Sequence, residues 1–331
     1  MAPSTPMVYA IHENPEWFGP FRAAFEAEGV PFTEWLLVDG VLDLDEVPPE
    51  GIFWSRISAS SHTRGHDLTK EYTRSVLNWL EAHGRRTVNG RRVLELEVSK
   101  VDQLTALKAF GIDVPRTRAA IGRGNIVDAA SGFATPFMVK HNQGGKGLSV
   151  RRFDSVAELA AWVESGDYEE PQDGVTLVQE YLQPAEPRIT RVEIVDGELV
   201  YAIAADTARG GYQLCPADAC EVDLTTGKLI MPPGATIAPV DGQKLFSLRA
   251  GFDHPIVDQY RAFTRALGIE VAGIEFIETV DGRVVTYDVN TNTNYNADVE
   301  AVAPASGPRQ IARLLGRLLD ERYPEARGAA S

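Results

Sequence analysis

Apolar runs and polar stretches alternate along the chain and predict a mixed α/β architecture. In the first third, three apolar runs predict strands: MVYAI, FTEWLLV and GIFWSRI. Phe18, Phe21 and Phe25 recur at helical spacing and predict a helix between the first two strands. A second helix, DLTKEYTRSVLNWLEAHG, and a short strand, RRTVNG, follow. This order predicts a small α/β domain with a largely parallel sheet.

A polar loop, SRISASSHTRGH, follows the third predicted strand. Ligands of such sheets lie at the carboxyl ends of the strands, where this loop begins. The loop offers five candidate substrate contacts: Arg56, Ser58, His62, Arg64 and His66. Its serines and histidines are equally suited to capping and to hydrogen bonds within the loop, so both interpretations stay open.

A linking helix, LEVSKVDQLTALKAFG, leads out of this domain. Ser99 is a suitable N-cap, which puts Lys100 in the first helical turn. A cation at that position opposes the helix dipole. The conflict would be explained if Lys100 served a ligand.

A glycine-rich loop lies between two β-runs, the first of which ends at Lys140. The loop contains Gly144, Gly145, Lys146 and Gly147. Such glycines let backbone N–H groups approach phosphate oxygens, and lysines supply positive charge. The loop matches neither the P-loop nor the GxGxxG pattern. A flexible β-turn would have the same composition, so the pattern alone is weak.

The second half of the chain predicts antiparallel hairpins. The Asp-Gly pairs 196–197 and 281–282 each lie between two β-rich runs, a strong hairpin signal. Between the two hairpins, residues 207–254 are irregular and rich in Gly and Pro. A long irregular segment inside a domain is usually functional or mobile, so we predict a substrate loop or lid there.

The last hairpin carries a candidate metal site. Asp288 and Asn290 are two residues apart on one strand and share a face, and pairing across the hairpin would bring Glu275 beside them. Two carboxylates and an amide oxygen suit a hard cation such as Mg²⁺. The alternative is that Asp288 and Asn290 only cap the strand and open a polar loop.

Composition narrows the class of protein. The 331 residues are 44% hydrophobic, as in an ordinary globular protein of two or three packed units, and the net charge of −15 argues against nucleic-acid binding. Between Ser55 and Arg92, however, the chain has a net charge of +5. This basic island indicates either an anionic small ligand or a solvated helix face with surplus arginine.

Location and redox state follow from what the sequence contains. No apolar run approaches the length of a membrane helix, and the first residues do not resemble a signal peptide, so we expect a cytoplasmic protein without a membrane partner. Cys215 and Cys220 are the two cysteines of the chain. We expect free thiols, since a disulfide between them would close a very short loop.

The order of these motifs resembles the ATP-grasp ligases, and within them the RimK-type glutamate ligases. The resemblance rests on Lys100, on PFMVK before the glycine-rich loop, on VQEYL, and on VAGIEF followed by DVN. It implies an α/β (α+β) ATP-grasp fold with a small N-terminal α/β domain and a nucleotide held between two antiparallel-sheet subdomains. The expected units are residues 1–95, 96–183 and 184–331, the last with the irregular insert 207–254.

The resemblance also implies roles for individual residues. ATP phosphates would contact Lys100 and Lys140, under a flap formed by Gly144, Gly145, Lys146 and Gly147. The adenosine would be bound by Gln179, Glu180, Tyr181 and Glu186. One or two Mg²⁺ ions, with Mn²⁺ as an alternative, would be held by Glu275, Asp288 and Asn290.

On the substrate side the chain departs from the family pattern. Arg191 matches the family's strand arginine and would face the substrate. Ala205 stands where the family tends to have an arginine, and Arg209 is expected to substitute for it. TNTNYN replaces a small residue, Pro and Gly after the metal-site Asn, so Asn292 joins Arg56, Ser58 and Arg64 as a candidate substrate contact.

The resemblance implies a carboxylate–amine ligase that works through an acyl phosphate on an amino acid or peptide. The substrates are expected to be small and anionic, and a homodimer is left open. Two alternatives remain: an ATP-grasp kinase or acyl-activating enzyme without an amine acceptor, and a non-catalytic nucleotide-binding module. The intact acid pair with both lysines favours an enzyme.

Overall fold

The structure is a computed structural model that describes residues 5–145, 147, 149–210 and 245–326. Several residues singled out above lie outside this part of the chain: Lys146, both cysteines and most of the 207–254 segment. The side chain of Arg209 is likewise outside the described part.

The first sheet is parallel throughout, as its sequence pattern predicts. Its elements along the chain are β1 (Met7–His12), α1 (Gly19–Glu28), β2 (Phe32–Leu36), β3 (Gly51–Ser55), α2 (Thr69–Ala82) and β4 (Arg86–Val88). The strand order is β2-β1-β3-β4. The central strands β1 and β3 are almost entirely buried, in keeping with their continuous apolar sequences.

The linking segment is two helices rather than one, α3 (Arg91–Val98) and α4 (Lys100–Ala109). The break falls at Ser99, whose backbone is extended. Its hydroxyl accepts a hydrogen bond from the backbone N–H of Asp102 at 3.2 Å, so Ser99 is the N-cap of α4. Lys100 is therefore the first residue of α4, not an interior residue of one long helix.

The second sheet is antiparallel, with the order β5-β8-β6-β7. Its elements along the chain are β5 (Thr117–Ile121), α5 (Ile126–Ala130), β6 (Phe137–His141), β7 (Arg151–Phe153), α6 (Val156–Glu164) and β8 (Val175–Glu180). The sheet has its own apolar core, in which α5 and α6 cover one face.

The third sheet is also antiparallel, with the order β11-β10-β9-β12-β13. Its elements along the chain are β9 (Arg188–Val195), β10 (Glu198–Asp206), α7 (Thr207–Gly210), β11 (Phe246–Leu248), α8 (Ile256–Leu267), β12 (Val271–Glu278), β13 (Val284–Asn290), α9 (Ala297–Glu300) and α10 (Gly307–Arg322). Both predicted hairpins are present. Asp196 and Gly197 connect β9 and β10 with φ of 54° and 72°, as in a type I′ turn.

The last helix packs between the first and third sheets. Helix α10 contacts α1, β1 and β3 on one side and β9 on the other. Its apolar stripe, Ile311, Leu314, Leu315 and Leu319, is buried. Each such side chain contributes roughly 1.5–3 kcal/mol by burial. One continuous apolar cluster therefore joins the first sheet to the third.

The three sheets follow one another along the chain within residues 1–95, 96–183 and 184–331, and these boundaries stay a prediction. None of the helices in the described ranges is long and apolar enough to cross a membrane.

Candidate active site

One cavity is lined by residues of the loop after β3, of the two linking helices and of the second and third sheets. Its walls include eleven of the residues singled out from the sequence: Ser58, Lys100, Lys140, Gly144, Gly145, Gly147, Arg191, Glu275, Asp288, Asn290 and Asn292. The phosphate, metal and substrate residues implied by the resemblance therefore lie around one space, although they are spread over more than two hundred positions of sequence.

The acidic cluster follows from strand register. Glu275 pairs with Asp288 across β12 and β13, and on its other side with Arg191 of β9. The Asn290 amide lies 3.2 Å from an Asp288 carboxylate oxygen and 3.5 Å from one of Glu275. The expectation that pairing brings these three side chains together is met.

Tyr287 joins the cluster because of a β-bulge. The pairing of β12 with β13 shifts register after Glu275, where Tyr287 is the additional residue. Strict alternation would put Tyr287 on the face opposite Asp288, whereas the bulge re-aims it. Its hydroxyl donates to Glu275 at 2.7 Å, and Tyr287 lines the same cavity. Sequence reasoning missed this residue because it assumed unbroken alternation.

Lys100 reaches the cluster from the first turn of α4. Its ammonium donates to the carboxylate of Asp288. Asn142, just after β6, anchors the start of α4: its side-chain oxygen accepts from the backbone N–H of Val101 at 2.8 Å. Burial lowers the pKa of Lys100, but the neighbouring Asp288 carboxylate outweighs it and the pKa is raised. The ion pair offsets the conflict with the helix dipole.

Lys140 lies on β6 and is buried in the cavity wall. Burial, reinforced by the positive charge of Lys100, lowers its pKa to about 7. Its ammonium is 6.0 Å from the centre of the Tyr287 ring. The positive charge of Lys140 is therefore less strongly stabilised by nearby carboxylates than the charge of Lys100.

Arg191 lies deeper than a surface substrate contact would. Its Nε donates to Glu193 at 2.7 Å and its Nη1 to Glu275 at 3.3 Å, while Nη2 donates to Thr293. A Cβ at position 273 would come within 2.4 Å of the guanidinium, so Gly273 leaves the space that Arg191 fills. Burial opposes the charge of Arg191, but the two carboxylates outweigh it and raise its pKa.

A second layer holds the end of β13 and the residues that follow it. Gln103 of α4 donates to the carbonyl of Val289 at 2.9 Å and accepts from its N–H at 3.1 Å. Glu97 of α3 accepts from the backbone N–H of Thr291 at 2.6 Å. Burial raises the pKa of Glu97 to about 7. Both residues lie in the linking helices. The apolar spacing of these helices does not predict hydrogen bonds to the backbone at the end of β13.

The glycine-rich loop lies against the loop after β3. A Cβ at position 145 would be 3.1 Å from the Cβ of Ser60, whose hydroxyl is 2.9 Å from that of Ser58. The loop after β3 therefore faces the cavity through Ser58 and Ser60, whereas only Ser58 was proposed from the sequence.

Four predicted adenosine contacts do not line this cavity. Gln179 is buried and donates to Thr117 at 2.9 Å, and Glu186 is paired with Arg188 at 2.7 Å. Glu180 is paired with Arg283 at 3.1 Å, and Tyr181 lies under the guanidinium of Arg152 at 5.4 Å. The side chains of Glu180 and Glu186 are engaged by arginines.

Two arginines of the loop after β3 are not cavity residues either. Arg64 is paired with the buried Glu13 at 2.7 Å. Arg56 is buried, stacks 4.3 Å from the centre of the Phe21 ring and donates to Asn294 at 2.9 Å. Of the basic island, these two side chains are turned to protein partners, while Asn294 is a cavity residue that sequence reasoning did not name.

The fold resembles those of known proteins over most of the chain. A RimK domain ATP-grasp protein from Sphaerobacter thermophilus is 16% identical and superposes with a TM-score of 0.63 over 93% of this chain and 99% of that one. The D-cycloserine synthetase DcsG is 17% identical with a TM-score of 0.61, over 94% and 99%. The chain has the ATP-grasp fold. The ATP-grasp ligase PsnB, complexed with a minimal precursor, is 14% identical with a TM-score of 0.62, over 94% and 99%.

Sequence comparison adds one curated relative. Beta-citrylglutamate synthase B of Danio rerio is 24% identical over 230 residues, which cover 67% of this chain and 49% of the relative. The chain therefore spans about half the length of that relative. No family model matches this chain.

The oxygen cluster suits a divalent cation. The Asn290 amide lies within hydrogen-bonding distance of both carboxylates in the cavity, and rotating it would present its oxygen. No group of three or more His, Cys, Asp or Glu side chains suited to a metal is found in the described ranges. The donor set is thus small, as expected where water and phosphate complete the coordination.

Proposed function

We propose that this chain is an ATP-dependent carboxylate–amine ligase that forms an amide bond through an acyl phosphate, with release of ADP. The observation that carries the proposal is the convergence of Lys100 and Lys140 with Glu275, Asp288 and Asn290 around one cavity beneath the glycine-rich loop. Cations for phosphate and oxygen ligands for Mg²⁺ are what phosphoryl transfer requires of a protein.

The two lysines are suited to neutralise the phosphates of bound ATP. Lys100 is held by Asp288, and Lys140 is buried with its charge less strongly compensated. Mg²⁺ bound by Glu275, Asp288 and Asn290 would supply electrostatic stabilisation of the transferring phosphoryl group. Neutral Tyr287 and charged Arg191 would orient Glu275 through their hydrogen bonds to its two oxygens.

The chemistry needs no nucleophile from the protein. A carboxylate oxygen of the substrate attacks the γ-phosphorus of ATP, and the bond to ADP breaks. An amine nitrogen then attacks the acyl carbon, loses a proton and displaces phosphate. The names of the similar proteins, a citrylglutamate synthase and a cycloserine synthetase among them, support amino-acid-like substrates. The ligase PsnB and the macrocyclase MdnC are each seen in complex with a precursor peptide, so a peptide substrate is the alternative.

The cavity as it stands has a volume of about 150 Å³, whereas ligand pockets typically enclose roughly 300–1,000 Å³. Admission of ATP therefore requires movement of its walls. Gly144 and Gly145, the latter opposite Ser60, form the part of the wall best suited to move.

The adenosine contacts of Gln179, Glu180, Tyr181 and Glu186, and the substrate roles of Ser58, Asn292 and Arg209, remain part of the proposal. Arg56 and Arg64 would contribute indirectly, because they donate hydrogen bonds to the cavity residues Asn294 and Ser60. A cation-assisted kinase without an amine acceptor is the second candidate, since the same lysines and acids would serve it.

The test is release of ADP and phosphate from Mg²⁺-ATP in the presence of carboxylic acids and amines, singly and in pairs, with mass spectrometry of the products. Phosphate release that needs both partners, with a product lighter by one water than their sum, supports the ligase. A stable phosphorylated product from one partner would favour the kinase. ATP binding without turnover would contradict both.

A further inference from the structure

A groove continues from the cavity between α1 and the residues that follow β13. Trp17 and Asn294 line both the cavity and the groove. The groove has a volume of about 540 Å³ and its floor is apolar, formed by Pro20, Phe21 and Ala24 of α1 with Tyr295. The two spaces meet at Asn294, where the departure from the family pattern falls.

Arg56 fixes the orientation of Asn294 at this junction. The guanidinium donates to Oδ1 of Asn294 at 2.9 Å, so the amide oxygen must face Arg56 and the NH₂ group must face away. The Asn294 side chain is buried, and its Nδ2 donates to no acceptor among the described residues. This NH₂ group is open to the cavity, so it is suited to donate to an acceptor on a ligand.

Asn292 supplies the complementary group two residues earlier. Its side-chain Oδ1 is buried and has no hydrogen-bond partner within the described part of the chain. Thr293, between the two asparagines, turns the other way and accepts from Arg191. The alternation therefore presents one free acceptor and one free donor to the same cavity.

The groove itself favours an uncharged occupant. Of the charged side chains around it, Glu16 is exposed to solvent, Arg309 is bound to Glu28 at 2.6 Å, and Glu300 accepts from Tyr201 and from the backbone of Gly307. The charges of Arg309 and Glu300 are therefore satisfied within the protein. The apolar floor gains more from a hydrocarbon side chain than from water.

We propose that Asn292, Asn294 and this groove form the site for the amine substrate, an α-amino acid with an apolar side chain. The ammonium or amine donates to Oδ1 of Asn292, the carboxylate accepts from Nδ2 of Asn294, and the side chain lies over Phe21 and Ala24. Arg56 is a positioning residue that holds Asn294. The inference rests on the proposed ligase for the fate of the amine, but not for its binding.

Binding is tested apart from turnover. Calorimetry with the full chain, Mg²⁺ and a non-hydrolysable ATP analogue compares L-leucine with glycine as probes. We expect leucine to bind about 10–200-fold more tightly than glycine. Equal affinity for the two, or binding of neither, would overturn the proposal.

Two variants test whether the groove and Asn294 cause the tighter binding of leucine. Ala27, exposed on α1, lines the groove, and Ala27→Leu should fill it and remove the preference for leucine over glycine. The matched control is Ala157→Leu, an exposed alanine on α6 that should leave the preference unchanged. Asn294→Asp should weaken leucine binding about tenfold or more, because a carboxylate replaces the donor, while affinity for the ATP analogue stays the same.

The two proposals fail in different ways. Leucine binding that responds to Ala27→Leu, without phosphate release from any pair of substrates, would uphold the site and refute the ligase. Phosphate release with amines whose side chains make no difference, in the parent and in Ala27→Leu alike, would uphold the ligase and refute the site.

Discussion

The ammonium of Lys100 donates to the carboxylate of Asp288, a residue 188 positions later in the chain. The pair joins the helix that links the first two sheets to the last strand of the third. Burial raises the pKa of Asp288, but the charge of Lys100 outweighs it and the pKa is lowered, so the carboxylate stays ionised and able to bind a cation.

Asp288→Asn should reduce turnover of Mg²⁺-ATP by roughly 10²–10³-fold. The amide keeps the shape of the side chain but removes the anion that pairs with Lys100 and would hold the metal. The fold should survive with reduced stability, because no apolar cavity opens but Lys100 loses its carboxylate partner. Steady-state ADP release measures the loss, and thermal unfolding checks the fold. Asp258→Asn, on the exposed face of α8, is the control. Full activity in Asp288→Asn would refute the metal assignment.

Lys140 should couple nucleotide binding to proton uptake. Its pKa of about 7 means that much of it is neutral above neutral pH, whereas phosphates favour the ammonium form. Affinity for ATP should therefore fall as pH rises above about 7, with uptake of a proton on binding. Calorimetry at pH 8 in buffers of different ionisation enthalpy measures the uptake. Lys140→Met should abolish it and Lys108→Met should not.

Glu97 should make the protein less stable as pH rises. Its pKa is about 7 in the folded chain and 4.5 for an ordinary glutamate, so between these values the folded state holds a proton that the unfolded state has lost. Stability is then greatest below about 4.5 with respect to this group and falls until about 7, by roughly 3 kcal/mol. Glu97→Gln should flatten this slope in urea unfolding measured at pH 5 and pH 8. An unchanged slope would show that Glu97 is ionised in the folded protein.

The predictable part of the fold is the part with clear periodicity. The first sheet and both hairpins follow from apolar spacing and Asp-Gly turns, and Ser99 caps α4 as its sequence suggests. The linking segment was expected to be one helix but is two, because Ser99 caps a new helix inside the apolar pattern. Strand β5, TRAAI, was not predicted, since exposed and buried positions alternate weakly there.

The predictable part of the site is set by strand register. Glu275, Asp288 and Asn290 lie together because pairing and alternation are local rules. Tyr287 depends on a bulge, and Asn294 depends on a guanidinium from another sheet, so neither follows from local spacing. The resemblance assigns Glu180 to the adenosine, and its pairing with Arg283 is a tertiary contact that no motif reveals.

Arg191→Ala should destabilise the protein and obscure any effect on the substrate. The arginine is buried between Glu193 and Glu275, and its removal leaves two buried carboxylates without a cation, at a cost of about 3–5 kcal/mol. Arg191→Lys retains the charge but loses the geometry of three donors. We expect it to fold, to bind the ATP analogue normally and to turn over slowly. A loss confined to ATP affinity would contradict a role for Arg191 near the substrate.

A disulfide between the glycine-rich loop and the loop after β3 should hold the cavity closed. A Cβ at position 145 would lie 3.1 Å from that of Ser60, and disulfides need a Cβ separation of about 3.5–4.5 Å, so a small backbone shift suffices. Gly145→Cys with Ser60→Cys, in a background with both native cysteines changed to serine, should lose ATP turnover on oxidation and regain it on reduction. Each single variant controls for the substitution itself. If the oxidised, cross-linked protein turns over ATP at the reduced rate, the loop does not need to open, and nucleotide must enter the cavity from another side.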